Sequence, residues 1–375
     1  MCKNNINKNR EWRRERKKRK KNYFTLFPTY TGTKAQFPAF YRALFDETKS
    51  TYVEPCVGAG GMYFNISNGR YEKVYLNDLN MNLMLIYKCL RDEELRGEFI
   101  KRLEEVQIPE DEKDAKEYFE NLRKKMHWWS NVPICNIHKE DILETAVKTY
   151  LLYAISKNCN ADEYSVKQAK QFHEDICRRL PNVIESLHEN VRFYSKNAVK
   201  IIDEYKNDSS VQFFIDTPYV GIYRSNKKLY RKELITLSDH VKLAISVKSC
   251  KGAVVMCGYR SQIAGVPTIY DVILGSKFKC YKICEKPNGA VRVKKGQKKP
   301  RCTEYVWTNH TPEYAGMYMS LENYRESMSV SKYWNIIMEK IRKGVIPKEH
   351  IKDYKTAFAT CIELGLLPQD SVWEE

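Results

Sequence analysis

The chain has 375 residues, 43% of them hydrophobic and 12% aromatic, which suffices for one large or two ordinary folded domains and excludes wholesale disorder. It contains no run of 18 apolar residues, so no membrane-spanning helix is expected. The net charge of +17 is concentrated, because residues 1–22 and residues 277–301 each carry a net charge of +9. Two such basic segments indicate contact with a nucleic acid, since lysine and arginine placed on phosphates release counterions.

The twelve cysteines are scattered along the chain, with neither the framework of a disulfide-rich protein nor the paired spacing of a metal site. In a chain of this length they are typical of reduced thiols. Residues 1–22 lack the hydrophobic core of a secretion signal and are expected to form a mobile basic arm. We therefore expect a cytoplasmic, nucleoid-associated protein without a bound metal ion.

Strands and helices alternate from residue 23 onward. Apolar spacing predicts a helix over 34–46, and then strands at 51–53 and 73–76. The first of these strands is expected to lead into a helix beginning near Gly61, and the second into a helix over 80–90. This strand–helix–strand–helix order is typical of a parallel sheet.

Residues 93–190 show no convincing strand and are expected to form a helical insertion, broken near Pro109 and around residues 130–133. Strands are expected again at 191–194, 211–215, 253–257, 277–284 and 303–308. The Pro287-Asn288-Gly289 turn between the last two predicts an antiparallel hairpin with a long basic loop. Two amphipathic helices, over 320–343 and 348–363, are expected at the C-terminus.

The expected fold class is α/β: a Rossmann-like sheet, mostly parallel, with a C-terminal antiparallel hairpin, a helical insertion and a helical C-terminal extension. The expected organisation is a basic arm (1–22), a sheet domain in two parts (23–92 and 191–310), the insertion (93–190) and the extension (311–375).

The first chemical signal is a glycine-rich turn, Glu54-Pro55-Cys56-Val57-Gly58-Ala59-Gly60-Gly61, directly after a predicted strand. Glycines there let backbone amides approach a ligand closely. Asp78 follows Gly58 by 20 residues, at the end of the next strand, where a carboxylate can accept both hydroxyls of a ribose. The third glycine of a dinucleotide motif is absent from its usual place, which favours a nucleoside without a pyrophosphate.

The second signal is Asp216-Thr217-Pro218-Tyr219, directly after the apolar strand at 211–215. Asp216 and the carbonyl of Thr217 can each accept a hydrogen bond from the amino group of a base. Tyr219 can stack on the flat face of that base.

Together these motifs resemble the Dam-type, D12-class DNA adenine N6-methyltransferases, over roughly residues 28–310. Four weaker pieces follow in the family's order: Tyr30-Thr31-Gly32-Thr33-Lys34; Asn77-Asp78 with Asn82, Ile86 and Tyr87; Gly258-Tyr259; and Arg301, Glu304, Trp307 and Asn309. The resemblance implies a methyltransferase sheet, the cofactor S-adenosylmethionine, double-stranded DNA as partner and a target base flipped out of the duplex. It is compatible with a role in restriction–modification.

The resemblance also implies roles for single residues. The catalytic residues are expected to be Asp216, Thr217, Pro218 and Tyr219. The cofactor is expected to contact Tyr30, Gly32, Lys34, Glu54, Pro55, Gly58, Gly60, Asp78 and Asp216. The phosphates of DNA are expected to contact Arg292, Lys294, Lys295, Lys298, Lys299 and Arg301.

The chain departs from the family's pattern at several places. Thr217 stands where the family has a first proline, Cys56 replaces a phenylalanine and Cys257 replaces a serine. Asn197-Ala198 occupies the place of an Asp-Phe pair. The sequence-reading elements of the family have no clear counterpart after Asn158. The insertion at 93–190 occupies their place and is expected to be the target-recognition region.

Two alternatives stay open from the sequence. The same acid–x–Pro–aromatic device serves RNA adenine methyltransferases, so RNA is a possible substrate. The substitutions at Thr217, Asn197 and Cys56 are compatible with a non-catalytic relative that binds nucleic acid. A cytosine N4 target is disfavoured, because Asp216 rather than a serine opens the motif.

Overall fold

The structure is a computed structural model, and it describes residues 24–35, 38–66, 69–220, 236–261, 266–287, 298, 301–311 and 328–374. The predicted basic arm at 1–22 and most of the predicted basic loop lie outside these residues.

Seven strands form one mixed sheet in the order β3-β2-β1-β4-β5-β7-β6. The strands are β1 (Thr51–Glu54), β2 (Lys73–Asn77), β3 (Val191–Tyr194), β4 (Val211–Ile215), β5 (Ala253–Gly258), β6 (Lys279–Pro287) and β7 (Arg301–Thr308). The first five pair in parallel, whereas β7 is antiparallel to both β5 and β6. This arrangement confirms the predicted α/β class with its antiparallel C-terminal hairpin.

The described residues contain the α-helices α1 (Pro38–Arg42), α2 (Met81–Arg91), α3 (Glu93–Glu104), α4 (Glu112–Lys124), α5 (Lys139–Ala154), α6 (Val166–Lys170), α7 (Phe172–Ser186), α8 (Ala198–Tyr205), α9 (Leu237–Lys248), α10 (Ile269–Leu274), α11 (Val330–Arg342) and α12 (Lys348–Glu363). Within the ranges that the structure describes, no helix is long and apolar enough to cross a membrane.

Three predicted helices differ from those observed. The first is shorter, and α11 begins at Val330, where the Ser329 side chain accepts a hydrogen bond from the Lys332 amide and caps the helix. The helix expected near Gly61 is only a 3₁₀ turn at Tyr63–Asn65. Glycines on both sides of this turn carry positive φ angles, which an α-helix does not accommodate.

Each face of the sheet carries its own hydrophobic layer. In β4, Phe214 packs into one layer while Phe213 and Ile215 pack into the other, as alternation along a strand requires. The helices of the 93–190 segment pack with α2 on the first face. The second face is covered by α8 to α12, and the C-terminal pair rests on α9. The Ser238 and Thr360 hydroxyls join α9 to α12 with a 2.7 Å hydrogen bond.

The chain changes direction across the sheet between β1 and β4. From β1 it proceeds outward through β2 to β3, and from β4 it proceeds the other way to β5. The loops that follow β1 and β4 therefore diverge to opposite faces. Ligands of open α/β sheets bind in the crevice that such a divergence leaves at the carboxyl ends of the strands.

Candidate active site

A cleft lies at this divergence, at the carboxyl ends of β1, β2 and β4. Its volume is about 1010 Å³ when the open mouth is included, which suits a small organic ligand. Eight of the nine predicted cofactor residues line it: Tyr30, Gly32, Lys34, Glu54, Pro55, Gly58, Asp78 and Asp216. The ninth, Gly60, shapes the turn beneath it. The structure thus brings together residues that lie far apart in the sequence.

The glycine-rich turn after β1 depends on two positive φ angles, +51° at Gly58 and +71° at Gly60. The turn is also crowded: a Cβ atom on Gly58 would lie 2.9 Å from the Tyr30 ring, and one on Gly60 would lie 2.1 Å from the Phe64 ring. The Tyr87 hydroxyl donates a 2.7 Å hydrogen bond to the Gly58 carbonyl. Only glycine satisfies both the conformation and the space at these two positions.

Asp78 closes the turn from the end of β2. Its carboxylate accepts hydrogen bonds from the backbone amides of Gly58 at 2.9 Å and Asn80 at 2.8 Å. Burial raises the pKa of Asp78, and these two hydrogen bonds partly offset the rise. A carboxylate has about four acceptor sites, so Asp78 keeps capacity for two hydroxyl groups of a ligand.

The Asn77 side chain, fully buried, ties three strand ends together. Its amide donates to the carbonyls of Pro55 at 2.7 Å and Lys196 at 2.9 Å. Its oxygen accepts the Lys196 amide at 2.9 Å. The loops after β1, β2 and β3 are therefore held in position without any ligand.

Lys34 and Asp216 form a buried ion pair. The ammonium donates to both carboxylate oxygens, at 2.6 and 2.7 Å, and it lies 5.1 Å from the centre of the Tyr219 ring. Burial by itself would lower the pKa of Lys34, but the carboxylates of Asp216 and Glu304 raise it well above its ordinary value. The ion pair therefore favours the charged form of Lys34 beside the Asp216–Tyr219 segment. The sequence predicted a cofactor contact for Lys34, which lines the cleft; that contact stays a prediction, and the structure adds the ion pair with Asp216.

Tyr219 lies next to the ion pair of Lys34 and Asp216. Its hydroxyl donates a 2.6 Å hydrogen bond to Glu304 on β7, which is 1% exposed. The Tyr259 ring, directly after β5, lies 4.4 Å away at an angle of 70°. Two aromatic rings thus flank the end of β4. The resemblance had placed Gly258-Tyr259 near the target base, and the structure puts it beside Tyr219.

The profile of the D12 class N6 adenine-specific DNA methyltransferases matches residues 30–279, about two thirds of the chain. The chain belongs to this family. The D12-class enzyme methylates the N6 amino group of adenine in DNA, and its cofactor is S-adenosylmethionine. The family assignment supports DNA over the RNA and non-catalytic alternatives.

Two curated relatives share this similarity. The type II methyltransferase M1.LlaDCHI of Lactococcus lactis subsp. cremoris is 24% identical over 306 residues, which cover 76% of this chain and 95% of the relative. The type II methyltransferase M.MjaIII of Methanocaldococcus jannaschii is 26% identical over 204 residues, covering 52% of this chain and 67% of the relative.

The cleft of the D12-class enzyme has a further wall that the sequence did not predict. Tyr153, Cys159 and Asn160 of the insertion line it. The Tyr153 hydroxyl accepts a 2.9 Å hydrogen bond from Asn80, which fixes this wall to the end of β2. Asn158, at φ +55°, lies in a stretch with several positive φ angles. Asparagine tolerates this conformation better than most residues. The sequence Asn158-Cys159-Asn160 was therefore the available indication of an unusual turn at this wall.

Asn197 and Ala198 also line the cleft, at the position of the family's Asp-Phe pair. The Asn197 side chain accepts the Val199 amide at 2.9 Å and so caps α8. The departure from the family thus changes the chemistry of one wall without removing it.

The predicted DNA contacts are only partly within the described residues. Arg292, Lys294, Lys295 and Lys299 lie outside them. Lys298 is exposed, and the backbone of Arg301 begins β7 opposite Pro287. These contacts stay predictions. Among the described residues, no group of three histidines, cysteines or acidic residues could hold a metal ion.

We expect Glu54 to make the stability of the ligand-free enzyme depend on pH. Its carboxyl group is buried, it accepts a 2.8 Å hydrogen bond from Tyr52, and burial, with Asp216 and Asp78 nearby, raises its pKa well above 4.5. A carboxyl group whose pKa is higher in the folded state than in the unfolded state is protonated in both states at low pH. As the pH rises above its pKa in the unfolded chain, the folded state becomes less stable relative to the unfolded state. We therefore expect Glu54→Gln to raise the melting temperature by a few degrees more at pH 8 than at pH 5.

Thermal melting without cofactor measures this difference. The control is Glu363→Gln, because Glu363 is exposed at the end of α12. Equal shifts of Glu54→Gln at the two pH values would contradict the assignment.

Proposed function

We propose that the segment Asp216 to Tyr219 methylates an adenine flipped out of duplex DNA, in the cleft where S-adenosylmethionine binds. The observation that carries this proposal is the ion pair of Lys34 and Asp216 at the end of β4, 2.6 Å long and only 4% and 16% exposed. It holds a carboxylate ionised at the meeting point of the cofactor cleft and the tyrosine pair.

The amino group of adenine needs hydrogen-bond acceptors, because its lone pair is delocalised into the ring. In the proposal, Asp216 and the carbonyl of Thr217 accept its two hydrogens. This favours a tetrahedral nitrogen whose lone pair points at the methyl group. Lys34 uses some acceptor sites of Asp216 and leaves others for the substrate. Pro218 restricts the backbone that carries the carbonyl.

The cofactor residues fit a nucleoside bearing an amino acid. Gly58 lines the cleft without a side chain, Gly60 shapes the turn that carries it, and Asp78 would accept the two ribose hydroxyls. Glu54 and Lys34 present one acidic and one basic group deeper in the cleft. Tyr30, Gly32 and Pro55 complete the walls. When bound, S-adenosylmethionine supplies a methyl group on a positively charged sulfur.

Tyr219 is proposed to hold the flipped base by stacking. We expect Tyr219→Ala to weaken binding of the target base by about 10–100-fold, since stacking on an aromatic contributes about 1–3 kcal/mol. Tyr219→Phe keeps the ring and loses the hydrogen bond to Glu304, so its binding should stay within a few-fold of wild type. The affinity for duplexes that carry 2-aminopurine at the mapped target position measures both. Equal losses in the two variants would refute stacking.

The DNA contacts are proposed from charge. The arm at 1–22 and the loop residues Arg292, Lys294, Lys295, Lys298, Lys299 and Arg301 would bind phosphates on either side of the flipped base. The insertion at 93–190, which reaches the cofactor cleft at Tyr153, would read the target sequence. Both relatives are type II methyltransferases, and we propose the same role here, within a restriction–modification system. Nine of the described cysteines form no disulfide, which suits work in the cytoplasm on the nucleoid.

The test is the transfer of radiolabelled methyl from S-adenosylmethionine to unmethylated duplex DNA, with single-stranded DNA and RNA in parallel. Label should appear as N6-methyladenine in the duplex and be lost with Asp216→Ala. Label confined to RNA or to single strands would refute the duplex as substrate. Full activity of Asp216→Ala would refute the proposed roles.

A further inference from the structure

The side chain of Thr217 is not explained by the proposed mechanism, which uses only its carbonyl. Thr217 is 2% exposed, and its hydroxyl oxygen is buried without a hydrogen bond of good geometry to any described residue. A buried hydroxyl without a partner is costly. Its position within the Asp216–Tyr219 segment suggests that the hydroxyl acts on the neighbouring carbonyl.

The phenol of Tyr270 on α10 lies in this region, because the Tyr270 ring packs against Gly258 at the end of β5, the strand next to β4. Burial raises the pKa of this phenol, and interaction with the Thr217 side chain partly offsets the rise. The Tyr270 hydroxyl is also hydrogen-bonded to Nδ1 of His240 on α9. His240 and Tyr270 are 0% and 2% exposed. A buried polar chain therefore runs from α9 through α10 to the catalytic segment.

The ring of Tyr270 is itself held rigidly. It packs edge-on against Trp307 of β7, with the ring centres 5.3 Å apart. The Trp307 indole donates a 2.9 Å hydrogen bond to Asp271, which also caps α10. The phenol is thus a fixed point from which a neighbouring hydroxyl can be positioned.

We propose that Tyr270 and His240 are positioning residues, which act through the Thr217 hydroxyl to keep the Thr217 carbonyl aimed at the amino group of the target adenine. The inference rests on the proposed role of that carbonyl. Threonine lacks the ring that locks φ in proline, so a hydrogen bond from its side chain is a second way to restrict the segment. Catalytic hydrogen bonds are often loose without substrate and shorten when it binds.

A double-mutant cycle tests the proposal. Tyr270→Phe and Thr217→Val each remove one hydroxyl and keep the shape of the side chain. We expect each to lower the single-turnover rate of methyl transfer about three- to tenfold, the value of one hydrogen bond. The double variant should be no slower than either single one, because the interaction is already lost. The affinity for S-adenosylmethionine should stay within twofold.

A third variant, Thr217→Pro, gives an independent arm. Thr217 lies beyond Ile215, the last paired residue of β4, so a proline there removes no hydrogen bond of the sheet. We expect it to restore the rate of Tyr270→Phe, since the ring fixes the segment without the hydroxyl. His240→Asn should lower the rate of the wild-type background and leave the Thr217→Pro background unchanged.

Three results would overturn the proposal. The first is a wild-type rate for Tyr270→Phe, and the second is multiplication of the two losses in the double variant. The third is an equal loss of cofactor affinity, which would show damage to the fold. A failure of the proposed catalytic roles appears separately, as full activity of Asp216→Ala.

Discussion

Replacing Asp216 by asparagine is expected to lower the rate of methyl transfer by about 10³-fold or more, while S-adenosylmethionine still binds. Loss of one preorganised electrostatic group at a reacting centre typically costs about 10²–10³ in rate. Here the same change also removes the partner of Lys34, 2.6 Å away, whose charge is then adjacent to the target amine. The single-turnover rate and the cofactor dissociation constant, measured together, separate chemistry from binding.

The variant also has an expected effect on stability. Breaking a buried ion pair by removing one partner typically costs about 3–5 kcal/mol, because the other charge stays buried and unpaired. The double variant Asp216→Asn with Lys34→Met removes both charges and should recover most of that loss in the free energy of unfolding, yet stay inactive. Asp370→Asn, an exposed site, is the control. Recovery of activity in the double variant would contradict a catalytic role for Asp216.

Replacing Gly60 by alanine is expected to abolish measurable cofactor binding and to destabilise the fold by about 1–3 kcal/mol. The added Cβ atom would lie 2.1 Å from the buried Phe64 ring, and φ is +71°. Either the Phe64 ring or the turn must therefore shift. Because the turn lies directly beneath the cleft, a shift of the turn changes the shape of the cofactor site. Calorimetric titration with S-adenosylmethionine and urea unfolding measure the two effects.

Gly344 provides a matched control for this experiment. Its φ of +64° is similar, but a Cβ atom there would meet nothing within 4 Å. Gly344→Ala therefore reports the strain of a left-handed residue alone, about 1–2 kcal/mol, without the steric clash. If Gly60→Ala bound the cofactor as well as Gly344→Ala does, the crowded turn could not be what shapes the cleft.

What the sequence could predict was local. The strand before Gly58, the glycines themselves and Asp78 lie within a stretch of 28 residues, and their residue types determine the backbone conformations they adopt. The same holds for Asp216 at the end of an apolar strand. The mostly parallel sheet and its antiparallel C-terminal hairpin were predicted as well, because strands alternate with helices and a turn motif separates the last two strands.

What the sequence could not predict depends on contacts across long separations. Lys34 and Asp216 are 182 residues apart, and Tyr219 and Glu304 are 85 apart. No local pattern encodes which carboxylate a lysine will meet, since that depends on side-chain packing at the sheet's divergence. The wall at Tyr153 was missed for the same reason. The helix expected near Gly61 was wrong for a local reason, because glycines next to it favour turns.

The pairing of β1 with both β2 and β4 has a consequence for how the enzyme is made. The strand at Thr51–Glu54 is synthesised early, but its second neighbour, Val211–Ile215, follows more than 150 residues later. Closing so long a loop into a parallel pair is slow. On the ribosome, the helices between residues 93 and 186 can pack on α2 first, while the edge of β1 that later pairs with β4 has no partner strand. The cofactor cleft is therefore completed late in synthesis, because a chain halted before residue 211 would lack the wall that Phe214, Asp216 and Pro218 provide.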